Sequence, residues 1–141
     1  MGGITKAFEN AFERMREQRW EYIYVLIDIH GTIFESDYSS DCNYNWLGNA
    51  KEALQMMSDR NDICLILWSG THSDKLTKYW AYMVKNGIVF DYMNSNPEVG
   101  DTDIYSKEKI YFNVGIDDKF GFEPETDWNE IISFLESHPC C

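Results

Sequence analysis

Four apolar runs rich in β-forming residues end on side chains that can do chemistry. YIYVLID (22–28) ends on Asp28, and DICLILW (62–68) runs into Ser69-Gly70-Thr71. IVFDYM (88–93) runs into Asn94-Ser95, and IYFNVGI (110–116) into Asp117-Asp118. If the first and fourth runs lie side by side, three carboxylates meet at one point. Without a counter-charge such a cluster is costly, through like-charge repulsion and desolvation. An all-oxygen donor set, with no thiolate or histidine-rich group beside it, suits Mg²⁺ rather than zinc or copper. Two residues after Asp28 stands His30. An imidazole with a reference pKa near ~6.5 can donate a proton as the cation or accept one when neutral.

The elements that must position these residues follow from periodicity. ITKAFENAFERMREQR (4–19) places Ile4, Phe8, Ala11, Phe12 and Met15 on one stripe, an amphipathic helix laid against something else. The first two apolar runs are hydrophobic on both sides, as parallel strands buried on two faces are. Between them, LGNAKEALQMMSDR (47–60) sets Leu47, Ala50, Leu54 and Met57 on one helical face, giving a strand-helix-strand unit with a right-handed crossover. HSDKLTKYWAYMVKNG repeats the pattern, with Leu76, Trp80 and Met83 as the stripe and Asn86-Gly87 as the stop. In ETDWNEIISFLES, Asp127 reads as the N-cap and Glu130, three residues on, as its capping-box partner. The prediction is an α/β fold: a three-layer, doubly wound, mostly parallel sheet with no sizeable second domain. Ligands of such sheets bind beyond the carboxyl ends of the strands, which is where the reactive residues fall.

At 141 residues and 44% hydrophobic, the chain suits a single domain, 1–141, with an N-terminal helix (1–20), a core (22–137) and a short tail (138–141). Five Trp, nine Tyr and eight Phe argue for order despite a formal charge of −12. The excess of 24 acidic over 12 basic residues repels phosphate backbones, so extended nucleic acid is a poor partner. Cys42, Cys64, Cys140 and Cys141 have neither zinc-ligand spacing nor disulfide-scaffold density, and Cys64 falls in an apolar strand as a small core residue. His138 stands where a prenylation box needs cysteine, and Lys6 where myristoylation needs Ser or Thr. No apolar run nears the ~20 residues that span a bilayer, and no signal peptide is evident, so a cytoplasmic location without membrane association is expected.

These motifs together resemble the haloacid dehalogenase-like (HAD) phosphohydrolases. DIHGTI resembles their first motif, Asp-x-Asp-Gly-Thr, with His30 as a departure; LILWSG resembles the second and VGIDDK the carboxylate-pair form of the fourth. The third, a lysine, would be Lys109 or Lys107. The likeness covers residues 22–136 and is nearest to small capless members, including HAD-like proteins of tailed bacteriophages. It implies that Asp28 is the nucleophile carrying an aspartyl-phosphate and that Ser69, with the backbone of Gly70 and Thr71, binds phosphoryl oxygens. It further implies that Lys109 neutralises charge and that Asp117, assisted by Asp118, holds Mg²⁺ together with Asp28 and the His30 carbonyl. In host cytoplasm, the substrate class would be a small phosphorylated molecule such as a nucleotide.

His30 leaves three functions open: a Mg²⁺-dependent phosphatase or nucleotidase, a ligand-binding module without turnover, and a protein-interaction subunit. The segment DYSSDCNYNWLG (37–48) follows the nucleophile loop and, at about a dozen residues, is too short for a cap domain, which leaves the site open. Its Tyr38, Tyr44 and Trp46 are candidates for stacking on a base or sugar, or for packing.

Overall fold

The computed structural model describes residues 3–36, 42–71, 73–99 and 110–139. Within them the chain runs α1 (Gly3–Gln18), β1 (Ile23–Asp28), α2 (Ala50–Ser58), β2 (Ile63–Trp68) and α3 (Ser73–Lys85). It continues through β3 (Tyr92–Met93), β4 (Val114–Ile116), a 3₁₀ turn (Asp118–Phe120) and α4 (Pro124–Ser137). The fold class is α/β, a four-stranded sheet in the order β3-β2-β1-β4, parallel throughout and flanked by four helices. The first and fourth apolar runs are therefore neighbours, with Val25 opposite Val114 and Ile27 opposite Ile116.

Alternation along the strands separates two faces. Ile23, Val25 and Ile27 of β1, Ile63, Leu65 and Leu67 of β2, and Val114 and Ile116 of β4 join one continuous core with residues of all four helices. Phe8 and Phe12 of α1 meet Phe134 of α4, ring centroids 5.8 and 6.0 Å apart, closing that core over β4 and β1. Tyr24, Leu26 and Asp28 of β1 and Cys64, Ile66 and Trp68 of β2 face the other way. Among the described residues, that side is met by the segments around Glu98 and around Tyr111.

Several boundaries differ from the sequence expectation, each for a local reason. The third strand pairs only at Tyr92–Met93, because the Asp91 carboxylate accepts the Leu65 N–H at 2.8 Å and so takes a backbone partner's place. The Asn113 side chain does the same for the Tyr24 N–H, and β4 is confined to Val114–Ile116. α2 starts at Ala50, not near Leu47, since Gly48 takes a left-handed φ of +54° against the Pro124 carbonyl. In α3 the fully buried ring is Tyr79, with Trp80 only half-buried. The Tyr79 hydroxyl accepts the Asn43 N–H, which makes its burial tolerable.

The stop at Asn86-Gly87 is a Schellman turn, with the N–H groups of Ile88 and Gly87 bonding to the Met83 and Val84 carbonyls. α4 opens with Glu123 as cap and Pro124 in its first position, not with Asp127. Asp127 instead reaches back one turn and accepts the Glu123 N–H at 2.8 Å.

Candidate acidic metal site

Asp28 is the last residue of β1; the parallel register sets Trp68 opposite it on one side, with Ser69 the next residue along, and Asp117 directly after the Ile27–Ile116 pair on the other. The carboxylates of Asp28, Asp117 and Asp118 approach so that one oxygen of each lies within 4.8 Å of the others. Asp117 is buried, Asp28 half-buried and Asp118 exposed. Asp117 also caps the 3₁₀ turn, accepting the Lys119 N–H at 2.9 Å.

The loop after β1 is built to receive Asp118. Gly31 adopts φ +75°, and a Cβ there would come within 2.8 Å of the Asp118 carboxylate. Thr32 is fully buried; its hydroxyl accepts the Asp118 N–H at 3.1 Å, and its carbonyl accepts the Trp128 indole N–H at 2.9 Å. Gly31 and Thr32 therefore clamp the loop after β1 to the β4 loop and to α4.

Electrostatics follow from this crowding. Burial first, then the charge on Asp117, raise Asp28 from the usual 3.8 to about 7; Asp118 adds to the rise, while the Ile29 N–H and Lys119 oppose it. Asp118 also rises, through burial and its hydrogen bond and charge interaction with Asp117. Three carboxylates drawn together in this way are a hard, all-oxygen donor set that could hold a metal ion.

His30 is half-buried, its ring 5.6 Å from that of Tyr79 in an edge-on arrangement. Burial, followed by the charge of Lys75, lowers its pKa, favouring the neutral imidazole.

Ser69 is buried and its hydroxyl accepts the Thr71 N–H at 3.2 Å. Its backbone is clasped from both sides by Asn94, whose Oδ1 accepts the Ser69 N–H (2.8 Å) and whose Nδ2 donates to the Ser69 carbonyl (3.0 Å). Asn94 does this from a left-handed φ of +55°. Its place at a strand end was visible in the sequence, but nothing there announced the clasp. Gly70 is exposed, with open space where a Cβ would stand, so no steric demand fixes glycine at that position. Lys109, Lys107 and Tyr38 lie outside the described residues. Lys119 is a cation that acts on both Asp28 and Asp118, and the motif pattern had not singled it out.

Tyr44 and Trp46 pack in an aromatic cluster: Tyr44 stacks on Tyr82 at 4.2 Å and Trp46 lies 4.6 Å from Phe34. Packing is thus the fate of both. A different aromatic group borders the carboxylates, in a cleft of about 310 Å³ shared by Asp28, Asp117, Trp68, Phe112 and Phe120.

Fold and site together define an α/β protein with an acidic cluster at the carboxyl edge of a parallel sheet. The chain matches no protein-family model and no curated protein. It is similar in fold to a solved structure described as the conserved protein coded by locus from Bacteroides thetaiotaomicron. The TM-score is 0.66 at 23% identity, over 84% of this chain and 93% of that one. Among the described residues, no helix is long and apolar enough to cross a membrane.

Proposed function

We propose that this chain is a phosphohydrolase of the HAD-like kind. The observation that carries this reading is the convergence of Asp28, Asp117 and Asp118 at the ends of neighbouring parallel strands, with Ser69 ending the strand on the other side. Asp28, Asp117, Asp118 and the His30 carbonyl would hold Mg²⁺. When bound, Mg²⁺ supplies positive charge that favours ionised carboxylates and offsets negative charge on a phosphoryl group.

A carboxylate oxygen of Asp28 attacks phosphorus; the bond to the leaving oxygen breaks, and that oxygen takes a proton. Water then attacks phosphorus, gives its proton to a base, and the bond to Asp28 breaks. Ser69 keeps its hydroxyl proton to donate to a phosphoryl oxygen, because its oxygen accepts from Thr71. The Gly70 N–H stands before the positive end of α3 and adds to that pocket, while the Thr71 N–H, expected to join it, is taken by the Ser69 hydroxyl. Lys109 or Lys107 retains the role the resemblance gives it, as neutralising cation.

His30, favoured in its neutral form, suits the base step better than the acid step. Esters whose leaving groups need no proton, such as aryl phosphates and anhydrides, should therefore turn over best. The same observation favours a second reading, a site that binds phosphorylated ligands with little turnover.

Trapping separates the two. Beryllium fluoride bound at Asp28, with Mg²⁺-dependent release of p-nitrophenol from its phosphate ester, supports the enzyme. Phosphate-analogue binding without turnover of any aryl phosphate or nucleotide supports the binding module. For His30 as base, the variant His30→Ala should slow hydrolysis of the aspartyl-phosphate whichever ester supplied it, leaving a burst of p-nitrophenol before slow turnover, and unchanged hydrolysis of the intermediate would remove it from that step.

A further inference from the structure

The cleft beside the carboxylates lies on the sheet face turned away from the shared helical core. Trp68 is opposite Asp28 in the β1–β2 register, so one aromatic wall stands directly beside the proposed nucleophile. Phe112 and Phe120 complete the walls, and Leu26, Ile110 and Ile116 supply further apolar lining. Trp68 and Phe112 are each 38% exposed and Phe120 is 63% exposed. Large rings left open to water in one place, next to charged groups, mark a binding surface more often than scattered exposure does.

Gly115 makes the arrangement possible. A Cβ on it would come within 2.9 Å of both the Phe112 and the Phe120 rings, so glycine lets the two rings settle over β4.

The lining also limits what can enter. Among the described residues its charged groups are Asp28 and Asp117, which repel a second anionic group set beside them. Apart from those carboxylates, the only side-chain hydrogen-bonding group among the described lining residues is the Trp68 indole N–H, and their remaining side chains are hydrocarbon. Such walls recognise a flat π-face and do not read the pattern of its edges.

We propose that this cleft holds the leaving group of a phosphate monoester as a planar, uncharged aromatic ring, flanked by Trp68, Phe112 and Phe120, with the phosphoryl end at Asp28. The phosphoryl half of this assignment rests on the phosphohydrolase reading; the ring half rests on the cleft alone. Its volume of about 310 Å³ suits one ring system and leaves no room for a polymer. A simple aryl group and a nucleobase share this chemistry.

Calorimetric titration of the full chain with Mg²⁺ tests it, using 1-naphthyl phosphonate and methyl phosphonate as non-hydrolysable probes. The naphthyl probe should bind at least about tenfold more tightly, and Trp68→Ala and Phe120→Ala should each remove about tenfold of that advantage while methyl phosphonate affinity stays unchanged. Phe120 is mostly solvent-exposed, so its variant keeps the test valid if Trp68→Ala folds poorly. Gly115→Ala, which crowds both rings, should weaken the naphthyl probe selectively. Equal affinity for the two probes, or naphthyl binding unchanged in both ring variants, overturns the proposal.

Titrating Asp28→Asn with adenosine monophosphate and 1-naphthyl phosphate then distinguishes the sources. Similar affinities assign recognition to the ring face alone; a nucleotide preference of tenfold or more assigns the nucleobase as the natural ring. Ring-dependent naphthyl binding in a protein that neither traps beryllium fluoride nor turns over aryl phosphates would retain the cleft and remove only the phosphohydrolase reading.

Discussion

The two faces of the sheet are made by the same strands and treated in opposite ways. On one, Ile23, Val25 and Ile27 are completely buried in the core shared with the helices. On the other, Tyr24, Leu26 and Asp28 alternate with them along six residues of backbone, and the row ends in a carboxylate pushed up to about 7 and a cleft walled by exposed rings. Stability is concentrated on the first face, and electrostatic strain and open apolar surface on the second. Period-two alternation therefore lets one strand anchor the fold and present the site, each without compromising the other.

That contrast can be broken at either face. The largest effect should come from Asp28→Asn, which should lower aryl phosphatase turnover at least about a thousandfold while leaving the melting temperature equal or higher, since a crowded negative charge is gone. A variant that unfolded instead would mean that the acidic face also carries stability. On the opposite face, Leu65→Ala should cost about 2–5 kcal/mol in chemical denaturation. A loss below ~1 kcal/mol would show that the helical core can close around the gap.

A smaller effect sharpens the comparison through pH. A carboxylate whose folded pKa is raised binds more protons in the native than in the unfolded state between its two pKa values. For Asp28 that window runs from the usual 3.8 to about 7, so metal-free stability should fall as pH rises through it and level off above. Asp118 shifts in the same direction. Mg²⁺ should raise the melting temperature most above pH 7, where the carboxylates are ionised, and Asp28→Asn should flatten the profile. Thermal melts at pH 5 and pH 8, with and without Mg²⁺, measure both. Smallest of all, Trp68→Ala should change unfolding free energy by under ~1 kcal/mol, as expected of a ring that is partly in water.

The carboxylate cluster was legible in the sequence because its members end continuous apolar strands, and parallel packing brings such ends together. Asp28 beside Asp117 needed only the adjacency of β1 and β4. Less legible were places where a side chain replaces backbone, as Asp91 and Asn113 do; a strand-forming composition cannot announce that its own polar residue will end the ladder. Tyr79 and Trp80 both fit the α3 stripe, and the choice between them depended on a partner for a hydroxyl supplied from Asn43, far away in sequence. The aromatic cleft was hidden for the same reason, since Trp68, Phe112 and Phe120 lie far apart along the chain and meet only in three dimensions.

The indole of Trp128 reaches back across 96 positions to the Thr32 carbonyl. As the chain leaves the ribosome, β1 emerges well before α4, and the loop after β1 lacks this tether until α4 has been made. A chain truncated before α4 would carry Asp28 on a loop held to the rest of the fold by one contact fewer.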